Sequence, residues 1–253
     1  MILEEKNAHE RDKYIFFNKE LHLYSFKPNN VTSQDFMSVT TVIKSCFEEF
    51  DTEKIIEKII NSKNKRAIYK NKNAEEIKNI FRKNNEIAIN EGIKLHDDIE
   101  LYFNNEKYDN LSKEFSYFKN FVTDHYFLTP FRTEWKIYDE NFKIAGTIDM
   151  AFKNNNGTID IYDWKRSKEI KCSNKFQKFS TKSYISHLPD INFIHYSLQL
   201  NAYKYILEKN YDLKVSNMFI VCLHPDNKNE NYLLFPIKDM KNDIHNIFLN
   251  YKN

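Results

Sequence analysis

Two aspartates and a lysine occupy positions where a buried strand would normally carry apolar side chains. Asp149 and Asp163 each lie inside a short apolar run, and Lys165 follows two residues after Asp163. Because side chains alternate along a strand, Asp163 and Lys165 share one face. The sequence Asn155-Asn156-Gly157 predicts a hairpin loop between the two runs, with glycine where a positive φ is needed. Pairing outward from this loop places Asp149 opposite Asp163, with Cβ atoms about 5 Å apart.

This arrangement predicts a site for a divalent cation. Two facing carboxylates repel each other unless a proton or a cation lies between them. Carboxylate oxygens bind Mg²⁺ or Mn²⁺, the metal lowers the pKa of a bound water, and a nearby ammonium orients that water or offsets developing phosphorane charge. The pattern therefore indicates metal-dependent hydrolysis. The alternative is a hairpin whose solvent-facing acids form a cross-strand salt bridge with the lysine.

The elements that must position these residues follow from the hydrophobic periodicity. A period of two predicts strands over 132–140, 142–152 and 158–165, and again over 217–224 and 231–237. Residues 14–26 predict a hairpin, and residues 166–194 show no clear period. A period near 3.6 predicts helices over 38–51, 51–63, 73–105, 111–126, 196–210 and 239–252, with Ser38 or Thr40 near the first N-cap and Asn73 with Glu76 forming a capping box.

These elements predict an α/β (α+β) fold with a central mixed β-sheet flanked by helices. Residues 1–128 supply an N-terminal hairpin and a helical portion, and residues 129–253 supply the core sheet and its helices. Glycine and proline are scarce, at 3 and 5 residues, so a linker between independent domains is not expected. We expect one integrated domain.

Composition limits the class of protein. The chain is 41% apolar and 15% aromatic, which is typical of a folded protein rather than a disordered one. Its 38 basic and 36 acidic residues nearly cancel, so a nucleic-acid site must be a local patch. Three cysteines give no disulfide framework, and no apolar run approaches about 18 residues. These features predict a soluble intracellular protein that is not bound to a membrane, in the cytoplasm, the nucleus or a viral replication compartment.

A basic and aromatic segment follows the second acidic strand and is a candidate nucleic-acid contact. Basic side chains bind phosphates and aromatic rings stack on bases, which suits single-stranded or frayed ends. Its position after the strand predicts that it lies at the mouth of the site. The alternative is a solvated loop, and the basic stretch Lys63–Lys72 is a weaker candidate. The residues proposed for contact are Arg166, Lys168, Lys171, Lys175, Phe176 and Lys178.

The pattern Gly146-x-x-Asp149 followed by Asp163-x-Lys165 resembles the core signature of the PD-(D/E)xK nuclease superfamily. Further motifs resemble its RecB-like exonuclease branch, which includes Cas4-like and viral relatives. The likeness spans roughly residues 38–240, and the motifs follow the order found in that branch. The further motifs are Gly92, His96 and Glu100 on one helix, Glu134 on the preceding strand, and Gln199 with Tyr203 on a later helix.

The resemblance implies a restriction-endonuclease-like core and a role for each matched residue. His96, Asp149 and Asp163 are implied to bind metal, and an imidazole ligand suits Mn²⁺ better than Mg²⁺. Glu134 is implied to reach the site through a second metal or a water, or else to be a strand-surface charge. Lys165 is implied to position or activate the attacking water.

Two other motif residues and the cysteine count complete what the resemblance implies. Gln199 and Tyr203 are implied to contact the DNA backbone or the lysine, and the alternative is an ordinary helix surface and core. Relatives that carry an iron–sulfur cluster need four cysteines around the nuclease core, whereas this chain has three. No iron–sulfur cluster is expected.

The expected function is a metal-dependent DNA nuclease, an exonuclease that acts from single-stranded or frayed ends. A structure-specific endonuclease and a catalytically inactive nucleic-acid-binding module are the alternatives. The sequence contains no Gly-rich nucleotide-binding loop, so any motor would come from a helicase or from a replication or repair partner. DNA against RNA, digestion polarity, the number of metals, the pathway in repair or recombination, and the oligomeric state stay open.

Overall fold

The computed structural model describes residues 2–28, 34–62 and 66–252. The predicted helices and strands occur in the predicted chain order, and the structure adds a short helix at Leu3–Lys6 and a strand at Gln34–Ser38 that were not predicted. The helices are α1 (Leu3–Lys6), α2 (Val39–Lys44), α3 (Thr52–Asn61), α4 (Ala74–Phe103), α5 (Lys113–Asp124), α6 (Asn192–Asn210) and α7 (Lys241–Lys252). The strands are β1 (Ile15–Asn18), β2 (Leu23–Phe26), β3 (Gln34–Ser38), β4 (Pro130–Asp139), β5 (Ile144–Lys153), β6 (Ile159–Lys165), β7 (Val215–Cys222) and β8 (Leu233–Pro236).

The eight strands of the described residues form one mixed sheet. Its order is β1-β2-β3-β5-β6-β7-β8, and β4 pairs with β5 outside this path. The β3–β5 and β6–β7 pairs are parallel, and the other pairs are antiparallel. The predicted α/β class, with a central mixed sheet flanked by helices, is confirmed.

One edge of β5 is unpaired over four residues. β4 pairs with β5 from Ile144 to Phe152. On the opposite edge, β3 pairs with Ile144 and Ala145, and β6 pairs with Met150 to Lys153. Residues 146–149 therefore border an opening between β3 and β6. The backbone groups and side chains around this opening are free to build a site.

The hairpin between β5 and β6 has the predicted register. Met150 pairs with Tyr162, and the backbone N–H of Asn154 donates to the carbonyl of Thr158 at 2.8 Å, which leaves a three-residue loop. Gly157 closes this loop with a φ of 83°, a conformation that glycine adopts without steric cost. The regular pairing ends one step before Asp149 and Asp163.

Helices cover both faces of the sheet. On one face, α2, α6 and α7 pack on a core that contains Trp135, Ile148 and Ile161. On the other face, α4 and α5 pack on Met150 and Trp164 through a largely aromatic core. The site lies between these two layers because its residues come from α4, from the sheet and from α6.

Several predicted helix starts and N-caps are confirmed, and two predicted helix starts are wrong. Ser38 caps α2 by accepting from the N–H of Thr41, and Asn73 with Glu76 forms the capping box of α4. Leu111, at the predicted start of the helix over 111–126, lies outside α5: it precedes the N-cap Ser112 and is 96% exposed. The penultimate helix begins at Asn192, four residues earlier than predicted. Residues 63–65 of the weaker basic stretch lie outside the described residues.

None of the helices that the structure describes has both the length and the apolar character needed to cross a membrane.

Candidate active site

His96 reaches the sheet from the middle of a long helix. Its neighbours Leu95 and Ile99 are buried in the core beneath α4, and they bring this helical face onto the sheet. The Nε2–H of His96 donates to the carbonyl oxygen of Trp164 at 2.9 Å. This bond fixes one proton on Nε2, so Nδ1 offers its lone pair to a ligand when the ring is neutral. Nδ1 points at two carboxylates, 3.5 Å from Glu134 Oε1 and 3.6 Å from Asp149 Oδ2.

Asp149 is held by the backbone of the neighbouring strand. The N–H of Trp164 donates to Asp149 Oδ2 at 2.9 Å. This bond lies just beyond the last regular pair of β5 and β6, so the aspartate side chain accepts a donor that a continued ladder would have used. Since the carbonyl of the same residue receives His96, the Trp164 backbone orients both candidate ligands.

Glu134 has a strained backbone beside these residues. Its φ is 43°, a left-handed conformation that costs a glutamate about 1–3 kcal/mol. Its neighbours Thr133 and Trp135 pair with Met150 and Ile148, which places Glu134 across from Asp149. The normal alternation of β5 also breaks here, because Ile148 and Met150 pack on opposite faces of the sheet. This irregularity lets both carboxylates face His96.

The donor set of these three residues fits a divalent cation. One ligand atom each from His96, Glu134 and Asp149 lie within 4.8 Å of one another. Two carboxylates and one neutral imidazole match the preferences of Mn²⁺ and, with water completing the shell, of Mg²⁺. Asp163, the fourth residue predicted as a metal ligand, lies outside this group of three.

Asp163 instead forms a buried ion pair with Lys165. The Lys165 Nζ lies 2.8 Å from Asp163 Oδ1 and 2.7 Å from Oδ2. The ammonium also lies 4.9 Å from the ring centre of Tyr196 on α6. Burial acts to lower the pKa of Lys165, but Asp163 and Asp149 outweigh it, so the pKa is raised and the lysine stays protonated. The predicted sharing of one face by Asp163 and Lys165 is therefore realised as direct contact.

The pKa values of Asp163, Asp149 and His96 are all shifted by burial and by the other charged groups of the site. Burial, opposed by Lys165 and reinforced by Asp149, raises the pKa of Asp163 to about 6. Burial also raises the pKa of Asp149. For His96, burial favours the neutral ring, but Asp149 and Glu134 outweigh it and raise the pKa to about 9. The site attracts a proton or a metal ion because it concentrates negative charge with few compensating donors.

Gln199 and Tyr203 contact the acids from α6. The Gln199 side-chain amide donates to Asp163 Oδ1 at 3.3 Å and to the Tyr203 hydroxyl at 2.8 Å. The resemblance implies contact with the DNA backbone or with Lys165; of these, neither bond involves Lys165, and Gln199 contacts Asp163, the ion-pair partner of that lysine. A Cβ on Gly146 would overlap the ring of Tyr203. Glycine is therefore required where this ring lies against β5.

A cleft of about 680 Å³ opens onto the metal-ligand group. Its floor includes His96, Glu134 and Tyr203, and it also contains Glu100, the last residue of the helical motif. Burial and the nearby Glu134 raise the pKa of Glu100. The walls are the β1–β2 hairpin, the start of α2 and the middle of α4. The wall residues include Phe17, Lys19, His22, Tyr24, Thr40, Ile89, Ile93, Asp97 and Lys136.

The basic segment after β6 lies outside the cleft that contains His96 and Glu134. None of the described residues 166–182 lines the cleft. Three of its cations are engaged elsewhere: Arg166 Nε pairs with Glu114 at 2.7 Å, Lys168 with Asp226 at 2.9 Å, and Lys178 with Glu48 at 2.5 Å. Lys171, Lys175 and Phe176 are exposed. The later part of this loop packs beside the C-terminal end of α2, where Ser180 and Thr181 bond the carbonyl of Cys46, and contact of the segment with nucleic acid stays a prediction.

Three contributors to the site were missed by sequence reasoning. Lys136 lines the cleft, and a signal for it existed because it stands two residues after Glu134 on one strand. Lys19 has no comparable signal, since it lies in the turn of a distant hairpin. The role of Trp164 is carried by its backbone, which a sequence motif cannot reveal.

Comparisons with known proteins give only low similarity. No protein-family model matches the chain, and no curated protein matches it. Among solved structures, the crystal structure of SSO0001 has a TM-score of 0.35 and 13% identity, and the alignment covers 88% of this chain and 78% of the other. The crystal structure named "Putative exonuclease" from Eubacterium rectale has a TM-score of 0.38 and 14% identity, with coverage of 86% and 77%. Similarity this low identifies neither a family nor an activity.

Proposed function

We propose that this protein is a metal-dependent DNA nuclease of the RecB-like branch of the PD-(D/E)xK superfamily, and that it acts as an exonuclease on single-stranded or frayed ends. The observation that carries the proposal is the convergence of His96, Glu134 and Asp149 beside the buried pair of Asp163 and Lys165. A helix and three strands contribute these five residues. Three ligand side chains beside a buried ion pair fit the binding of a divalent metal ion, which a salt bridge alone does not require.

In this proposal His96, Glu134 and Asp149 hold Mg²⁺ or Mn²⁺, and Asp163 completes the acidic group. A bound divalent ion supplies Lewis-acid polarisation of the phosphate and a more acidic water. The Trp164 backbone keeps the His96 lone pair and the Asp149 carboxylate directed at the ion, through bonds of 2.9 Å on each side. No iron–sulfur cluster takes part.

Lys165 acts as a protonated donor in this proposal. Its raised pKa keeps the ammonium charged, so it orients the attacking water and offsets charge on the phosphate oxygens. Asp163 fixes the ammonium by contact with both carboxylate oxygens. Gln199 holds Asp163 and Tyr203 in place and is a positioning residue. In this proposal water attacks the phosphate directly, and no covalent enzyme intermediate forms.

The substrate in this proposal is DNA with an accessible end. Lys171, Lys175 and Phe176 are exposed after β6 and remain candidates for contact with the strand outside the cleft. Arg166, Lys168 and Lys178 would first have to leave their acidic partners. A structure-specific endonuclease with the same residues, or a binding module without catalysis, is distinguished from the exonuclease by the choice of substrate.

The test is cleavage of end-labelled linear DNA beside closed circular DNA, with Mg²⁺, Mn²⁺ or EDTA. We expect wild-type protein to degrade linear DNA only when metal is present. Lys165→Ala should reduce the rate by about 10²–10³-fold, since one stabilising donor of the transition state is lost. Lys214→Ala is the matched control, because Lys214 is exposed and precedes β7, which runs parallel to β6 and begins at the end far from Lys165.

Three results would change the assignment. Nicking of the closed circle would replace the exonuclease by an endonuclease. DNA binding without metal-dependent cleavage would support the inactive binding module. Equal rates for Lys165→Ala and Lys214→Ala would remove the lysine from the mechanism.

A further inference from the structure

The N-terminal hairpin forms one wall of the cleft and is attached directly to the sheet beside the metal-ligand group. The Tyr24 hydroxyl bonds Thr147 Oγ1 at 2.8 Å, and Thr147 lies two residues before Asp149 on β5. The ring of Tyr24 is 4.5 Å from that of Phe17, which is 5.2 Å from that of His22. All three rings line the cleft. A row of aromatic side chains therefore leads from the hairpin turn to the site.

Lys19, in the turn of the hairpin, reaches across the cleft to the helix that carries His96. Its Nζ lies 3.2 Å from Asp97 Oδ1, and both side chains are well exposed, at 76% and 49%. An exposed ion pair of this kind contributes little stability, so another anion can replace the carboxylate at small cost. The Lys19 ammonium is thus available to a phosphate entering the cleft. Lys136 lines the floor on the opposite strand and offers a second cation.

The opposite wall is apolar. Ile89 and Ile93 on α4 line the cleft and are 51% and 55% exposed. Aromatic rings on one side and aliphatic side chains on the other fit the flat faces of unpaired bases. A volume of about 680 Å³ lies within the range of sites that enclose small molecules, and the candidate ligands His96 and Glu134 at its floor are 27% and 29% exposed.

We propose that the β1–β2 hairpin is the substrate-binding wall of the enzyme and that it takes one unpaired nucleic-acid strand, with bases on Phe17 and His22, which the buried Tyr24 supports from below, and phosphates on Lys19 and Lys136. This rests on the proposed nuclease function and specifies the substrate that reaches the metal. The strand enters between the hairpin and α4, and the Lys19–Asp97 pair opens as a phosphate takes the place of the carboxylate.

The test measures binding without catalysis. A fluorescent oligothymidylate of about 12 nucleotides, its oligouridylate counterpart and a blunt duplex of the same length are titrated in EDTA and followed by anisotropy. Two matched pairs of variants separate the cleft from the rest of the hairpin. Phe17→Ala is paired with Phe16→Ala, whose ring is next in sequence but does not line the cleft. Lys19→Ala is paired with Lys27→Ala at the other end of the hairpin.

We expect the single strand to bind more tightly than the duplex. Phe17→Ala should weaken it by about 5- to 100-fold, in line with the loss of stacking on one base. Lys19→Ala should lower the slope of log affinity against log salt by about 0.7, since one phosphate contact is lost. Phe16→Ala and Lys27→Ala should match wild type. Preference between the thymidylate and the uridylate shows whether the strand is DNA or RNA.

The outcomes separate this proposal from the function on which it rests. Equal effects of Phe17→Ala and Phe16→Ala, with metal-dependent cleavage intact in wild type, overturn the hairpin wall and leave the nuclease standing. Tighter binding of the duplex overturns the single-strand assignment. A wild-type protein that neither binds nor cleaves any of the probes overturns both.

Discussion

Asp139 and Asp149 are buried aspartates on adjacent antiparallel strands with opposite surroundings. Asp139 is fully buried, and three donors saturate it: Lys209 Nζ at 2.9 Å, Asn210 Nδ2 at 2.8 Å and the N–H of Phe142 at 3.1 Å. Burial alone would raise its pKa, but these donors outweigh it and the pKa is lowered. Asp149 has one backbone donor and faces His96 and another carboxylate, and its pKa is raised.

The difference distinguishes a structural acid from an acid prepared for a ligand. A carboxylate whose lone pairs are filled by protein donors stabilises the fold and has no capacity for another cation. A carboxylate that faces other acids is stabilised only when a proton or metal arrives. The sequence treats the two alike, since both stand on apolar strands. Their partners, which come from distant parts of the chain, decide the role of each.

The largest expected effect is on catalysis. Asp149→Asn should reduce metal-dependent cleavage by about 10³-fold, because the amide is a poor ligand for a hard cation. Asp139→Asn should leave the rate per folded molecule within about two-fold, since Asp139 touches none of the site residues. Initial rates on linear DNA, corrected for the folded fraction, test this. A comparable loss in both variants would contradict the division of roles.

For the stability of the metal-free protein, we expect the substitution at Asp139 to have the larger effect and the one at Asp149 the smaller. Asp139→Ala should lower the free energy of unfolding by about 3–5 kcal/mol, because it leaves Lys209 and two neutral donors without their buried partner. Asp149→Asn should cost much less, since it removes a charge that burial already disfavours. Urea unfolding in EDTA measures both values, and the comparison fails if Asp149→Asn is the more damaging change.

Metal binding should stabilise only a protein with an intact site. At a free Mn²⁺ concentration about 100 times its dissociation constant, the folded state gains about 2.7 kcal/mol. We expect this gain in wild type and in Asp139→Asn, and its loss in His96→Ala. Thermal unfolding with and without Mn²⁺ measures it. A stabilisation that survives His96→Ala would show that the ion binds elsewhere.

Local sequence patterns predicted much of the fold. The hairpin register between β5 and β6 follows from Asn155-Asn156-Gly157, because a three-residue loop fixes the pairing. The caps at Ser38 and Asn73 follow from side chains that bond backbone groups three residues away. These features depend on neighbours in sequence, so the sequence alone contains their cause.

Features that depend on distant contacts were not predictable in the same way. The break in alternation at Asp149, the positive φ of Glu134 and the position of the β1–β2 hairpin all require several elements to be assembled. The basic loop after β6 turned out to pack on α2 for the same reason. Sequence reasoning named the acids and the lysine that meet at the opening, but their partners come from the tertiary structure.

The smallest expected effect is a difference in pH dependence between two buried acids in metal-free protein. The pKa of Asp139 is lowered, so its stabilising contribution is present above the unfolded value of 3.8 and is lost as pH falls through the folded pKa. The pKa of Asp163 is raised to about 6, so the folded state binds a proton that the unfolded state releases between pH 3.8 and 6. Lowering the pH through that window therefore stabilises wild type relative to Asp163→Asn. Below it, wild type loses stability relative to Asp139→Asn. Urea unfolding in EDTA at a series of pH values tests both signs, and slopes of the same sign would mean that the two acids occupy equivalent environments.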